Sequence, residues 1–222
     1  MRNTLRTIAI STLIVGMNNA NAFTAALGVH GGTMGPGLDV SVPIIDQKLT
    51  GRAGFNYLDY STSGSTSGVD YDVDLNLHNA FALFDYHPFG GAFRLTAGGY
   101  YNDNSVDLKG KANSGNTFDI GNSTYTGTQI GTLNGKVDFN TFSPYVGLGF
   151  GNAVGKGSPF TFNVDIGAIY QGSPDVKLSA NGPIASNPTF QADLAREVKD
   201  LNDKGDSYKF YPVVQVGLSY RF

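Results

Sequence analysis

The chain has no cysteine, no tryptophan and a single glutamate, Glu197, in 222 residues. Without cysteine there is no disulfide scaffold, no thiolate metal site and no lipid attachment at a cleavage point. No apolar stretch approaches the roughly 20 residues that a spanning helix needs. The apolar run near the start, Ile8 to Val15, covers only eight residues. Nucleic-acid binding finds no support either, because acidic residues (18) outnumber basic ones (15).

What the chain does have is glycine and aromatic side chains: 30 glycines, 15 Phe and 12 Tyr, with 41% hydrophobic residues. That mixture suits short twisted strands with glycine relief and aromatic girdles better than a helical core. The mean hydropathy of −0.14 is what alternating polar and apolar faces produce in a membrane barrel. Residues 1–22 read as a secretory signal: Arg2 and Arg6, then Ile8 to Val15, then Ala20-Asn21-Ala22 as the cleavage site. Its removal takes two of 15 basic residues and leaves 13 against 18 acidic ones, a formal charge of −5. Residues 23–222 form one domain.

From Phe23 onward the period is two. Val69, Tyr71, Val73, Leu75 and Leu77 alternate with Asp70, Asp72, Asp74, Asn76 and His78. The end of the chain alternates as clearly, with Phe210, Pro212, Val214, Val216, Leu218, Tyr220 and Phe222 on one face. Such alternation marks strands. Eight are expected, at roughly 23–32, 36–45, 48–61, 69–87, 92–108, 136–151, 159–178 and 207–222. Their connections alternate between short turns (46–48, 88–91, 152–158) and longer Gly/Ser/Asn/Thr-rich loops (61–68, 109–135, 179–206), as in outer-membrane barrels, with only the first outer connection, near Gly32 to Gly37, short. The fold expected is an all-β, eight-stranded antiparallel up-and-down transmembrane barrel. A short helix belongs in its last extracellular loop, where Phe190, Leu194, Val198 and Leu201 recur at helical spacing between Pro188 and Gly205. Its apolar stripe either caps the barrel mouth, meets the lipid interface, or packs on its own loop.

The C-terminal Leu218, Tyr220 and Phe222 resemble the assembly signal of outer-membrane barrels, an aromatic end preceded by alternating apolar residues. Several stretches are similar to the CarO-like barrels of Gram-negative outer membranes. They are Pro88-Phe89-Gly90, Tyr100-Tyr101-Asn102-Asp103-Asn104, Val106-Asp107-Leu108, Pro144 to Phe150, Gly172 to Leu178 and the late charged helix. The resemblance spans about residues 80–222. It implies a small eight-stranded outer-membrane barrel and, more loosely, small-solute entry, with OmpW-like barrels as more distant relatives.

If apolar and aromatic residues face lipid, the lumen takes His30, Asp39, Arg52, Asn56, Asp74, Asn76, His78, Arg94, Thr96, Asn163, Asp165, Gln171, Gln215 and Arg221. Arg52 and Arg94 should then meet carboxylates such as Asp39 and Asp165. An eight-stranded lumen is just wide enough to be filled by side chains, so such a network reads as a plug before it reads as a pathway. Tyr57, Tyr86, Phe89, Phe93, Tyr101, Tyr145, Phe150, Phe160, Tyr170, Phe210, Tyr220 and Phe222 fall near strand ends as interfacial girdles. Asp70, Asp72 and Asp74 head an acidic outer rim, their carboxylates about 7 Å apart along one strand face. They lack the glycine turn and terminal glutamate of a calcium loop, so no metal site is assigned.

Catalysis is not expected. A triad of His78, Asp74 and a serine can be assembled on paper, but no nucleophile motif accompanies it, and His87 beside a turn reads as solvated. No cofactor motif is present. Two functions remain: a passive narrow channel for small cationic or zwitterionic solutes, drawn in by a negative mouth, or a non-conducting structural or surface-interaction barrel that displays its loops. Expected partners are the bilayer with its lipopolysaccharide, the barrel-assembly machinery and possible small solutes, with the barrel a monomer in the cell outer membrane.

Overall fold

The computed structural model describes residues 24–66, 69–112 and 115–222, with Thr66 and Ala112 described by their backbone alone. The proposed signal segment, 1–22, lies outside the described residues. The strands are β1 (Ala26–Gly32), β2 (Gly37–Ile45), β3 (Leu49–Thr66), β4 (Val69–Tyr86), β5 (Phe93–Asn102), β6 (Ser105–Ala112), β7 (Thr117–Ile120), β8 (Ser123–Thr126), β9 (Thr132–Asp138), β10 (Phe142–Phe150), β11 (Phe160–Tyr170), β12 (Asp175–Ala180) and β13 (Phe210–Arg221). Two helices accompany them, α1 (Gly127–Ile130) and α2 (Pro188–Gly205).

Eight strands close into an antiparallel barrel in the order β1-β2-β3-β4-β5-β10-β11-β13, with β13 returning to β1. Closure is direct: Ala26 pairs with Arg221 and Gly32 with Gln215. Leu27, Val29, Val146, Phe162, Ile166, Val214, Val216 and Leu218 all point outward and lie open. This outward apolar band is what lipid would cover. Cross-strand aromatic pairs bound it. Phe93/Phe150 and Phe160/Tyr220 mark the short-turn rim, Tyr101/Phe142 and Tyr170/Phe210 the other. Tyr145 is the exception among the expected girdle rings: it turns inward and is 2% exposed.

Three expected strands are each divided. The stretch 92–108 becomes β5 and β6, separated by Asp103-Asn104; 136–151 becomes β9 and β10; 159–178 becomes β11 and β12. At the last break Gly172 takes φ +73, and a Cβ there would lie 2.2 Å from Asn140, so only glycine fits the close approach. The breaks lie at one height, tied by Asn102 N–H to Thr141 O and Asn140 N–H to Gln171 O. Above them β3, β4, β6, β9 and β12 continue as a five-stranded sheet that leaves β13 behind. The long expected loops are therefore largely ordered: β3 runs to Thr66, and 109–135 carries the end of β6, the β7–β8 hairpin and α1.

Helix α2 starts where the Asn187 side chain accepts from Thr189 N (2.9 Å) and Phe190 N (3.3 Å), with proline in the first turn. The first half of its apolar stripe packs on its own loop region. Phe190 and Leu194 pack with Ile120 and Ile130, flanked by Phe118, Tyr125, Leu133 and Leu178. The extracellular sheet, hairpin and helix thus have a core of their own.

Candidate functional site

The lumen follows from side chains that face inward from every strand. Arg52 on β3 donates through Nη1 and Nη2 to both carboxylate oxygens of Asp165 on β11, each at 3.0 Å. Arg94 on β5 reaches the same two oxygens from Nη2, each at 2.9 Å. Asp85 on β4 completes the group: Arg52 Nη2 donates to it at 3.2 Å, Arg94 Nε lies 3.4 Å away, and the Thr96 hydroxyl donates at 2.6 Å. Arg52, Asp85, Arg94 and Asp165 are each less than a tenth exposed. Two arginines and two aspartates balance in charge, as buried ions must. Space for Arg94 comes from Gly149, where a Cβ would sit 2.6 Å from Arg94 Nε.

Towards the short turns, Arg94 also donates to Gly151 O, and Arg221 donates to Gly155 O and Gly157 O. Towards the outside, His30 Nδ1 meets Asp39 at 2.9 Å, and Asn56 Nδ2 lies 2.9 Å from His30 Nε2 and 3.1 Å from Gly35 O. With Nδ1–H donating to Asp39, Nε2 is free to accept from Asn56. Above the charges sits an apolar layer of Met34, Phe81, Leu83, Tyr100, Tyr145, Ile169 and Val213. Phe81 and Tyr100 stand 5.3 Å apart, Tyr100 and Tyr145 5.7 Å. The β1–β2 turn folds over this layer, held by Tyr211 Oη donating to Thr33 O (2.7 Å) and Thr33 Oγ1 to Pro212 O (3.0 Å). What stays open beside the charged group is a cavity of about 20 Å³ between Asp39, Arg52, Asp85, Arg94 and Asp165, room for about one water molecule.

Arg52, Arg94 and Asp165 meet in one group. Asp39 joins His30 instead of an arginine, and Asp85, absent from the expected set, takes its place. The error lies in the face of β4. Leu77, Asn79, Phe81, Leu83 and Asp85 are buried towards the lumen, so the opposite face carries Asp74, Asn76 and His78, which were expected inside. Asp70, Asp72 and Asp74 lie on that outward face above the barrel, opposite Lys111, Lys109 and Asp107 of β6. They do not line a path into the lumen. His78 Nε2 lies 2.6 Å from Asp59, not Asp74, and its ring stacks on Tyr57 at 4.3 Å. His87 is 1% exposed rather than solvated, and its Nδ1 donates to Gly91 O at 2.9 Å. Leu218, Tyr220 and Phe222 point outward at the closing strand, each about half exposed.

Solved structures match this architecture over nearly the whole chain. The crystal structure of CarO2 from Acinetobacter baumannii aligns with a TM-score of 0.61 at 25% identity, covering 90% of this chain and 99% of that one. The CarO crystal structure from the same organism gives 0.58 at 25%, covering 89% and 97%. This is a CarO-like outer-membrane barrel. No protein-family model and no curated relative matches the sequence. In this CarO-like barrel the lumen and the extracellular sheet are both places where function could sit, and they differ in kind: one is filled, the other is open.

Proposed function

We propose that this CarO-like barrel does not conduct, and that it anchors and displays its extracellular sheet-and-helix unit. The observation that carries the reading is the occupied lumen: a neutral Arg–Asp group with space for about one water beside it, and an aromatic layer above. Proteoliposomes holding the barrel should swell in a small zwitterionic amino acid no faster than empty liposomes; swelling at a porin-like rate would defeat the reading. The second reading, a narrow channel for small cationic or zwitterionic solutes, has the cavity between Asp39 and Asp165 in its favour, but needs the arginines to swing aside.

The remaining expectations fit this reading. Residues 1–22 direct export and are cleaved after Ala22. Leu218, Tyr220 and Phe222 engage the assembly machinery. The girdles hold the barrel in a bilayer whose outer leaflet carries lipopolysaccharide. Catalysis has no role here.

A further inference from the structure

The extracellular sheet ends in two edges, and they are protected differently. At β12 the Asn202 side chain of α2 accepts from Val176 N at 2.9 Å, and Lys177 and Asp175 add charges, both standard edge defences. At the other end β2 stops pairing at Asn56, and the Tyr57 N–H reaches Pro36 O. Among the described residues, β3 pairs from Asp59 to Ser65 with β4 alone. Because the Tyr57 N–H points away from β4, the backbone groups of Asp59, Ser61, Ser63 and Ser65 point the same way, since alternate residues share a side. Beyond Asp59 this edge has no charge, no proline and no bulge. The sequence from Ser61 to Ser67, Ser-Thr-Ser-Gly-Ser-Thr-Ser, reads identically in both directions about Gly64.

We propose that this upper edge of β3 pairs antiparallel with the same edge of a second copy of the chain. The proposal rests on the reading of the extracellular unit as the working surface, and names its partner. An antiparallel pair can be twofold symmetric, with each edge complementing itself; a parallel pair cannot, because its hydrogen bonds are offset. Symmetry about Gly64 sets Ser63 against the partner's Ser65 in a hydrogen-bonded pair, and Thr62 against the partner's Thr66. Gly64 faces the partner's Gly64 as a non-hydrogen-bonded pair, with Cα atoms about 4.5 Å apart. The two barrels then point away from each other, so the copies belong to apposed membranes. A single short edge binds weakly, and many copies on two surfaces supply the avidity.

The cysteine-free chain makes the test clean. An added Cβ at Gly64 meets nothing within 4 Å, so Gly64→Cys leaves the strand intact. It should form a disulfide with its own copy, within the Cα range that such a bond spans. Ser61→Cys lies three residues from the symmetry point, so it stands about 20 Å from its own copy at the strand rise. With full-length barrels in two sets of nanodiscs, oxidation should join Gly64→Cys discs at least tenfold faster than Ser61→Cys discs. Adding Ser63→Pro, which removes an edge donor and no bond to β4, should abolish the difference. Equal rates for the two cysteines, or joining that survives Ser63→Pro, would overturn the proposal. Amide protection of Ser63 only when a foreign extended peptide is supplied would also overturn it, and would give the edge to another protein. Swelling of sealed liposomes that hold the same barrel reports separately on the closed lumen, so the two readings fail independently.

Discussion

At the scale of single residues, the Arg52–Asp85–Arg94–Asp165 group dominates the energetics. Asp165 is shared by both arginines at 2.9–3.0 Å. Asp165→Asn leaves two buried guanidiniums with one carboxylate, and should destabilise the barrel by about 3–5 kcal/mol. Asp39→Asn keeps an acceptor for His30 and turns one charge-assisted hydrogen bond into a neutral one, which should cost about 1 kcal/mol. Denaturant midpoints of both variants in lipid vesicles, read by far-UV circular dichroism, give the order; equal losses would count against the central role of Asp165. Three members of the group were legible because a charge on the inner face of an eight-stranded barrel has nowhere else to go. Asp85 was not, because it sits among Phe84, Tyr86 and other apolar residues of β4. The signal that could have found it is the charge itself, since an aspartate facing lipid beside two aromatics is costly.

At the scale of elements, β3 and β4 are the instructive strands. Each has 18 residues, whereas about 9–11 cross a bilayer, so roughly half of each stands outside. In β4 the face holding Leu83 and Asp85 in the lumen holds Val73 and Tyr71 above it, and the face that meets lipid at Phe84 carries Asp70 and Asp72 above. One strand carries two patterns, and alternation alone does not show where they change. Helix α2, by contrast, was legible in extent from its periodicity and stops. Its docking site was not, because Ile120 and Ile130 lie in a stretch without clear period. Phe190, 1% exposed, fills that docking site, and Phe190→Ala should loosen the extracellular unit by about 3–5 kcal/mol. Hydrogen exchange should rise over 117–131 and 188–205 while the barrel strands stay protected.

The same contact carries a pH dependence. The Tyr125 hydroxyl donates to Asp193 at 2.7 Å; this bond first, then Ser123 and the Arg196 charge, hold the Asp193 carboxyl below its usual range. A depressed folded value gives stability that is complete above the unfolded carboxylate range and is lost as pH falls through the folded one. The unit should therefore exchange faster below about pH 4, and Asp193→Asn should flatten that dependence. An unchanged profile in the variant would assign the effect elsewhere.

At the scale of the whole molecule, the barrel is tall on the β3–β4–β6–β9–β12 side and low where β13, β1 and β2 end. Its lumen carries the Arg–Asp group and, above it under the β1–β2 turn, the layer of Phe81, Tyr100 and Tyr145. The sequence conveyed barrel, strand number and closure through period two and the rhythm of turns, but not the ordered extracellular sheet, whose strands are broken by Asn, Asp, Gly and Pro. The most direct test of the closed lumen is single-channel recording of the refolded barrel in planar bilayers, with folding verified by heat-modifiable migration. A closed lumen gives no discrete steps above background. Regular cation-selective steps that weaken when Asp70, Asp72 and Asp74 become Asn would contradict it, and would restore a channel filtered at its acidic rim.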